Sequence, residues 1–277
     1  MSNRNKNVAR LLYDLVEPVH LVTYFADEPT DELMKLGHEG YWEGYFAGRA
    51  APLGPAQAPL VHAVFFHFAE GEVARHLPHV WDTATPEASL SARQRGSAAA
   101  LRRILGPLAS NPRVASAADL ATRAATSAPT EGRALYACLR ALPIPQEPVA
   151  RLWHAATLLR EHRGDGHVAA LVAAGIGGTE AHVLHALSQG IIPHEFGRLH
   201  HLAASEVNTV LEGLGARGLI DPEGQLSDLG RATKQSIEER TDELAAPAYD
   251  ALTADELVQL VTDLRPVADA LTAAGSR

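Results

Sequence analysis

One stretch of 14 residues constrains this chain more than any other: Leu158 to Leu171, LLREHRGDGHVAAL. An apolar helical run leads into it and another leads out, and between them it gathers two arginines, an aspartate and two histidines around two glycines. Arg160, Arg163 and His167 stand at i, i+3 and i+7, so a continuous helix would carry them on one face. Gly164 and Gly166 predict a break between two helices instead, with Asp165 capping the second. Two readings follow: a helix junction satisfied by an Arg–Asp pair, or a polar site inside an apolar cleft.

The surrounding chain is built for helices. Alanine dominates and aromatic residues are only 5%, which favours helices with small side chains at their contacts. A length of 277 residues allows one large domain or two ordinary ones. The net charge of −9 argues against a protein whose main partner is nucleic acid. Cys138 is the only cysteine, which excludes a disulfide framework and a cysteine zinc site. No basic-then-apolar leader opens the sequence and no apolar run approaches the roughly 20 residues of a membrane span, so the expectation is a cytoplasmic protein with no membrane partner. The 14 histidines are the oddity of composition, yet no HExxH or other tight spacing singles out a metal ligand set.

Apolar spacing predicts a first helix over Val8–Tyr24 with a kink at Pro18, and a second over Thr30–Gly48. A helix over Pro59–Phe68 and a short one over Glu70–His76 follow. Thr85 then caps a helix that has Pro86 first and Gly106 at its stop. Further helices are expected at Ala117–Ala125, Gly132–Leu142 and Val149–Arg163. Beyond the polar stretch come Gly178–Leu187, a short helix at His194–Leu199, and Ala203–Ile220 running into a short strand. DPEGQL (Asp221–Leu226) reads as a tight hairpin turn, LSDLG opens a helix to about Tyr249, and Thr253 with Glu256 forms a capping box for a last helix to Ala273 that Pro266 bends.

From Gly175 to Leu271 that order of helix, short helix, helix, two-stranded wing and long helix resembles the winged helix-turn-helix of MarR-type regulators. The segments that carry the likeness are TEAHVLHAL, SEVNTVLEGLGARGLI, LSDLG and LTADELVQLVTDL. YFAGRAAPLG and LREHRGDGH also resemble an actinobacterial helix-turn-helix-like family of unassigned chemistry. The first half reads as a worn copy of the second at an offset of 123 residues: Leu53-Gly54 aligns with Ile176-Gly177, the Leu60–Val64 run with Val183–Leu187, and Arg75 with Arg198. The expected fold is therefore mainly α: tandem degenerate MarR-like winged-helix repeats, residues 1–126 and 127–277, forming a single-chain pseudo-dimer with one short β-wing.

The resemblance implies a ligand cleft between the two repeats. Trp42, Tyr45, Arg49 and His62 come to it from one half, and Trp153, His154, Arg160, Arg163 and His185 from the other. Aromatic walls with convergent cations suit a small organic molecule, anionic or aromatic, with Arg160 or Arg163 forking a carboxylate. Asp165 and His167 are candidate catalytic residues, an Asp-supported imidazole being a general base. DNA is the less expected partner: the recognition helix carries Glu206 and Glu212 against Arg217 alone, and the wing tip Asp221-Pro222-Glu223 is acidic. The expectation is a small-molecule binder or enzyme on a scaffold that has lost DNA binding. One alternative is a ligand-responsive DNA-binding regulator using Arg93, Arg95, Arg102 and Arg103. Another is a haem- or metal-dependent enzyme, although the sequence names no cofactor.

Overall fold

Side chains that accept the first free N–H groups set where helices begin. In the computed structural model, which describes residues 3–275, the Thr85 hydroxyl accepts from Ala88 N, Asn111 from Arg113 N, Glu147 from Val149 N and Ala150 N, and Ser227 from Gly230 N. Proline occupies the first turn after three of these caps. Thr253 and Glu256 complete the expected capping box.

The helices in chain order are α1 (Asn3–Phe25), α2 (Asp27–Met34), α3 (Gly40–Ala50), α4 (Ala58–Val64), α5 (Val80–Thr83), α6 (Pro86–Leu105) and α7 (Pro112–Ser127). After them come α8 (Ala134–Arg140), α9 (Pro148–Ala173), α10 (Gly178–Ser188), α11 (Ala204–Ala216), α12 (Asp228–Ala245) and α13 (Ala254–Gly275). The fold is mainly helical, and no strand forms among the described residues. No single helix among them is long and apolar enough to cross a membrane.

α9 is the axis. Sixteen of its 26 residues are buried, too many for one face, so it is covered on most sides. Leu152, Leu158 and Leu159 belong to the larger core, shared with Leu12 and Val16 of α1, Leu101 of α6, Val114 of α7 and Leu260, Leu264 and Val267 of α13. That core draws on both sides of residue 126. At its far end α9 gives Ala170 and Leu171 to a second, smaller core with Val183 and Leu184 of α10, Val207 and Leu214 of α11, and Ile237 of α12. Between α9 and α10 the chain turns by 98° at Gly175, whose φ of +66° suits a residue without a side chain. The turn sets the small lobe beside α1 and α3 and leaves a cleft between them.

Several elements differ from expectation. The break at Gly164 and Gly166 does not form, and α9 runs through both. Two interior glycines cost a helix about 1 kcal/mol each, less than burial on most sides returns. Gly166 serves packing instead: a Cβ there would meet Arg133 Nη1 at 2.7 Å and Leu244 Cβ at 3.2 Å. The single helix over Thr30–Gly48 is two helices, α2 and α3, separated by Gly37 (φ +104°) and Gly40 (φ +73°). Glu70–His76 and His194–Leu199 contain only short 3-10 turns, at Val73–Arg75 and Pro193–Glu195. α11 stops at Ala216, ahead of Gly218 at φ +72°. The β-wing is reduced to one antiparallel bridge, Ile220 with Leu226.

Candidate functional site

The cleft between the main body and the small lobe has a volume of about 1020 Å³. α1 and α3 give it an aromatic wall, because Tyr41, Trp42 and Tyr45 project from adjacent turns of α3. Tyr45 lies 5.2 Å from the ring of Tyr24 and 5.5 Å from that of Trp42, with Phe68 at 5.8 Å. From the lobe side the Arg198 guanidinium lies 4.3 Å from the centre of the Phe68 ring and 5.6 Å from that of Trp42. An inner chamber of about 280 Å³ opens where α9, α10 and α12 meet. His67, His167, His182 and His185 line it with Phe196 and Lys234.

The cleft's arginines are matched to carboxylates. Glu161 is buried on α9 with Arg160 Nη1 at 3.1 Å and Arg49 Nη2 at 3.6 Å. Burial alone would lift its pKa, but the guanidiniums of Arg160 and Arg49 outweigh burial and hold the carboxyl at about 2. Arg49 also donates to the Tyr45 hydroxyl at 2.7 Å. Arg160 reaches Glu17 at 3.5 Å. Arg163 donates to Asp242 at 3.0 Å and Glu238 at 3.2 Å, and Arg10 holds the same two carboxylates. Neither Arg160 nor Arg163 is the unengaged fork that the sequence suggests. Both hold helices together.

Asp165 and His167 do not form a pair. Two residues apart on an unbroken helix lie about 200° apart around its axis, and each has a different partner. Asp165 Oδ2 accepts from Tyr136 N at 3.0 Å in the first turn of α8, so it caps a helix other than its own. Burial pushes its carboxyl up to about 6 despite that N–H. His167 Nδ1 lies 2.9 Å from the Thr241 hydroxyl. Burial also holds the His167 ring at about 4 and that of His67 at about 3, so both are neutral at pH 7.

Of the other residues expected in the site, Trp42, Tyr45, Arg49, Arg160, Arg163 and His185 line the cleft. Trp153 does not: it is buried in the core with its indole N–H donated to Thr23 at 2.8 Å. His154 is buried elsewhere, and His62 lies outside the cleft. Sequence reasoning missed Tyr24, His67, His182, Arg198 and Lys234. His67 and His182 belong to the histidine excess, and Lys234 is one of three lysines in the chain. Among the described residues no group of three or more His, Cys, Asp or Glu side chains is spaced to hold a metal ion.

The basic helix α6 is as fully engaged as the cleft. Arg95 pairs with Glu32 at 2.8 Å, Arg102 with Glu147 at 2.9 Å, and Arg103 with Glu28. Arg93 is buried against the Trp153 ring. On the small lobe Arg217 pairs with Glu180 at 2.9 Å. α10, the turn at Pro193–Glu195 and α11 nevertheless succeed one another as a helix, a turn and a helix around the second core. No curated protein and no solved structure matches the chain. Residues 9–277, nearly the whole sequence, match the profile of a helix-turn-helix family, and the chain belongs to that family.

Proposed function

We propose that this helix-turn-helix family member binds a small organic molecule with an aromatic part in the cleft between its main body and its small lobe. The observation that carries the reading is the cleft itself: about 1020 Å³, walled by Tyr24, Tyr41, Trp42 and Tyr45 and crossed by neutralised ion pairs. A planar ligand stacks on such a wall without displacing a charge. The runs aligned in the internal repeat are helical in both copies, as α4 and α10, while the main body draws on both halves of the chain. In the MarR-like form of this reading, the ligand lies between a dimer-like body and a winged lobe.

A native mass spectrum of the purified full chain, set beside its denatured mass, tests the reading. An excess mass is expected, retained by Trp153→Phe and lost when Trp42 and Tyr45 are both replaced by alanine. A bare chain whose Trp42 emission also ignores a panel of aromatic acids would sink it.

Family membership favours a second reading, duplex DNA binding through α11. That helix exposes Ser205, Glu206, Asn208, Thr209 and Glu212 and no unpaired arginine, a poor match to phosphates. Anisotropy of a labelled duplex across a salt series separates the two readings: the cleft reading alone expects no salt-dependent binding.

A further inference from the structure

The inner chamber, taken as part of a small-molecule site, has a definite polarity that specifies its ligand further. Lys234 of α12 and His167 of α9 lie on the chamber wall with Glu238 of α12, whose charge Arg10 and Arg163 already hold.

Lys234 is the cation left over. Arg10 and Arg163 share Glu238 and Asp242, Arg160 has Glu17 and Glu161, Arg49 has Glu161, and Arg198 lies 3.7 Å from Glu72. Glu238, one turn after Lys234 on α12, is already held by two guanidiniums. Among the described residues Lys234 forms no ion pair, although it is half-buried. A half-buried ammonium with no counter-charge is a place for an anion.

His167 is the acceptor. The Thr241 hydroxyl has one hydrogen, and its oxygen lies 2.7 Å from the Ile237 carbonyl oxygen, which can only accept. That hydrogen is therefore spent within α12, and the Thr241 oxygen accepts from His167 Nδ1–H at 2.9 Å. The neutral ring then presents Nε2 as a bare lone pair, with no partner among the described residues. The other cleft carboxylates are occupied, Glu161 and Glu238 by arginines and Asp165 by Tyr136 N. This nitrogen is therefore open to a donor on a ligand, as is the Nε2 of His182 on the same wall, also without a partner among the described residues.

We propose that the cleft takes an anionic aromatic molecule bearing an N–H or O–H donor, its acid group paired with Lys234 and its donor hydrogen-bonded to His167 Nε2. The inference rests on the small-molecule reading of the cleft.

Calorimetric titration of the full chain with indole-acetate, indole-acetamide and N-methylindole-acetate tests it on wild type, Lys234→Met and His167→Asn. The asparagine keeps an N–H for Thr241 and, being too short to reach the place of Nε2, removes the acceptor there. Charge-assisted hydrogen bonds contribute about 1.5 kcal/mol or more, roughly tenfold in affinity. Wild type is expected to bind the acid about tenfold more tightly than the amide and about three- to tenfold more tightly than the N-methyl compound, whose lost bond to the neutral ring is not charge-assisted. Lys234→Met should lose only the preference over the amide, and His167→Asn only the preference over the N-methyl compound. Preferences that persist in the variants, or wild-type binding that ignores both changes, overturn this inference while the cleft reading stands. If wild type binds none of the three probes and their excess does not shift its melting temperature, the cleft reading fails and takes this inference with it. Should His167→Asn not fold, Lys234→Met with the amide still decides the anion half, and Thr241→Val, which frees the tautomer, decides the donor half.

Discussion

Half-buried on α9, Asp165 carries a carboxyl whose charge is weakly favoured. It accepts from Tyr136 N, but burial lifts its pKa to about 6 from an ordinary 3.8. The folded state therefore holds the proton more tightly than the unfolded one. The stability that this confers is fully present below pH 3.8 and is lost as pH rises through 6. Asp165→Asn keeps an oxygen for Tyr136 N and removes the charge. Its gain over wild type should grow by about 1.4 kcal/mol between pH 5 and pH 8, read from urea unfolding. A variant that loses stability at pH 8 would mean that the ionised carboxylate, through its bond from Tyr136 N, stabilises the fold. The residue types of the cleft were legible from sequence: Trp42, Tyr45, Arg49, Arg160, Arg163 and His185 do share it. Their commitments were not, because the partners Glu17, Glu238 and Asp242 lie far away in the chain.

Helix starts were legible because capping is local. Thr85-Pro86, Thr253 with Glu256, and the helix opening at Gly178 fall where the sequence puts them. The continuity of α9 was not, since glycine propensity is a local quantity and the burial that overrides it comes from α1, α7 and α12. Nor did the sequence reveal why α10 begins with two glycines. A Cβ at Gly178 would stand 2.0 Å from the Phe66 carbonyl oxygen and 2.9 Å from His67 Cα, so the start of α10 lies directly on the main body's backbone. Neither backbone can yield cheaply, and this contact fixes the lobe against the residues that line the inner chamber. Gly178→Ala is expected to destabilise by about 1–3 kcal/mol and to speed hydrogen exchange throughout α10. Gly213→Ala, in α11 with nothing within 4 Å, is the control and should be neutral or gain up to about 1 kcal/mol. Equal effects from the two substitutions would remove the close approach as the cause.

Two cores joined through one helix bury polar groups, histidines prominent among them: His67, His167 and His182 at the boundary, and His20, His154 and His162 within the main body. Burial depresses His67 and His162 to about 3, and His154, His167 and His182 to about 4, while His20 falls well below its ordinary 6.5. Each is neutral when folded and takes a proton near pH 6.5 when unfolded. The unfolded state therefore binds more protons over the interval from 6.5 down to about 4, and stability falls with pH across it. Each such group removes up to about 1.4 kcal/mol per pH unit. Asp165 opposes this slope with a single proton. Glu161 and Glu238, both held at about 2 by arginines against the effect of burial, extend the loss to lower pH. A typical stability of ~5–15 kcal/mol would be exhausted before the pH falls to the folded-state pKa values of these histidines, so these rings are expected to protonate as a consequence of unfolding. Urea midpoints should be nearly flat above pH 7 and drop steeply below 6.5, with more than one proton taken up per molecule unfolded. His154→Gln combined with His162→Gln should flatten that slope by about two protons, because neither ring lines the cleft and each is silenced by burial, with Arg93 beside the first and Arg133 beside the second. An unchanged slope in the double variant would place the acid sensitivity in the carboxylates, and a wild-type profile flat to pH 5 would mean these histidines find water or partners that restore their ordinary basicity.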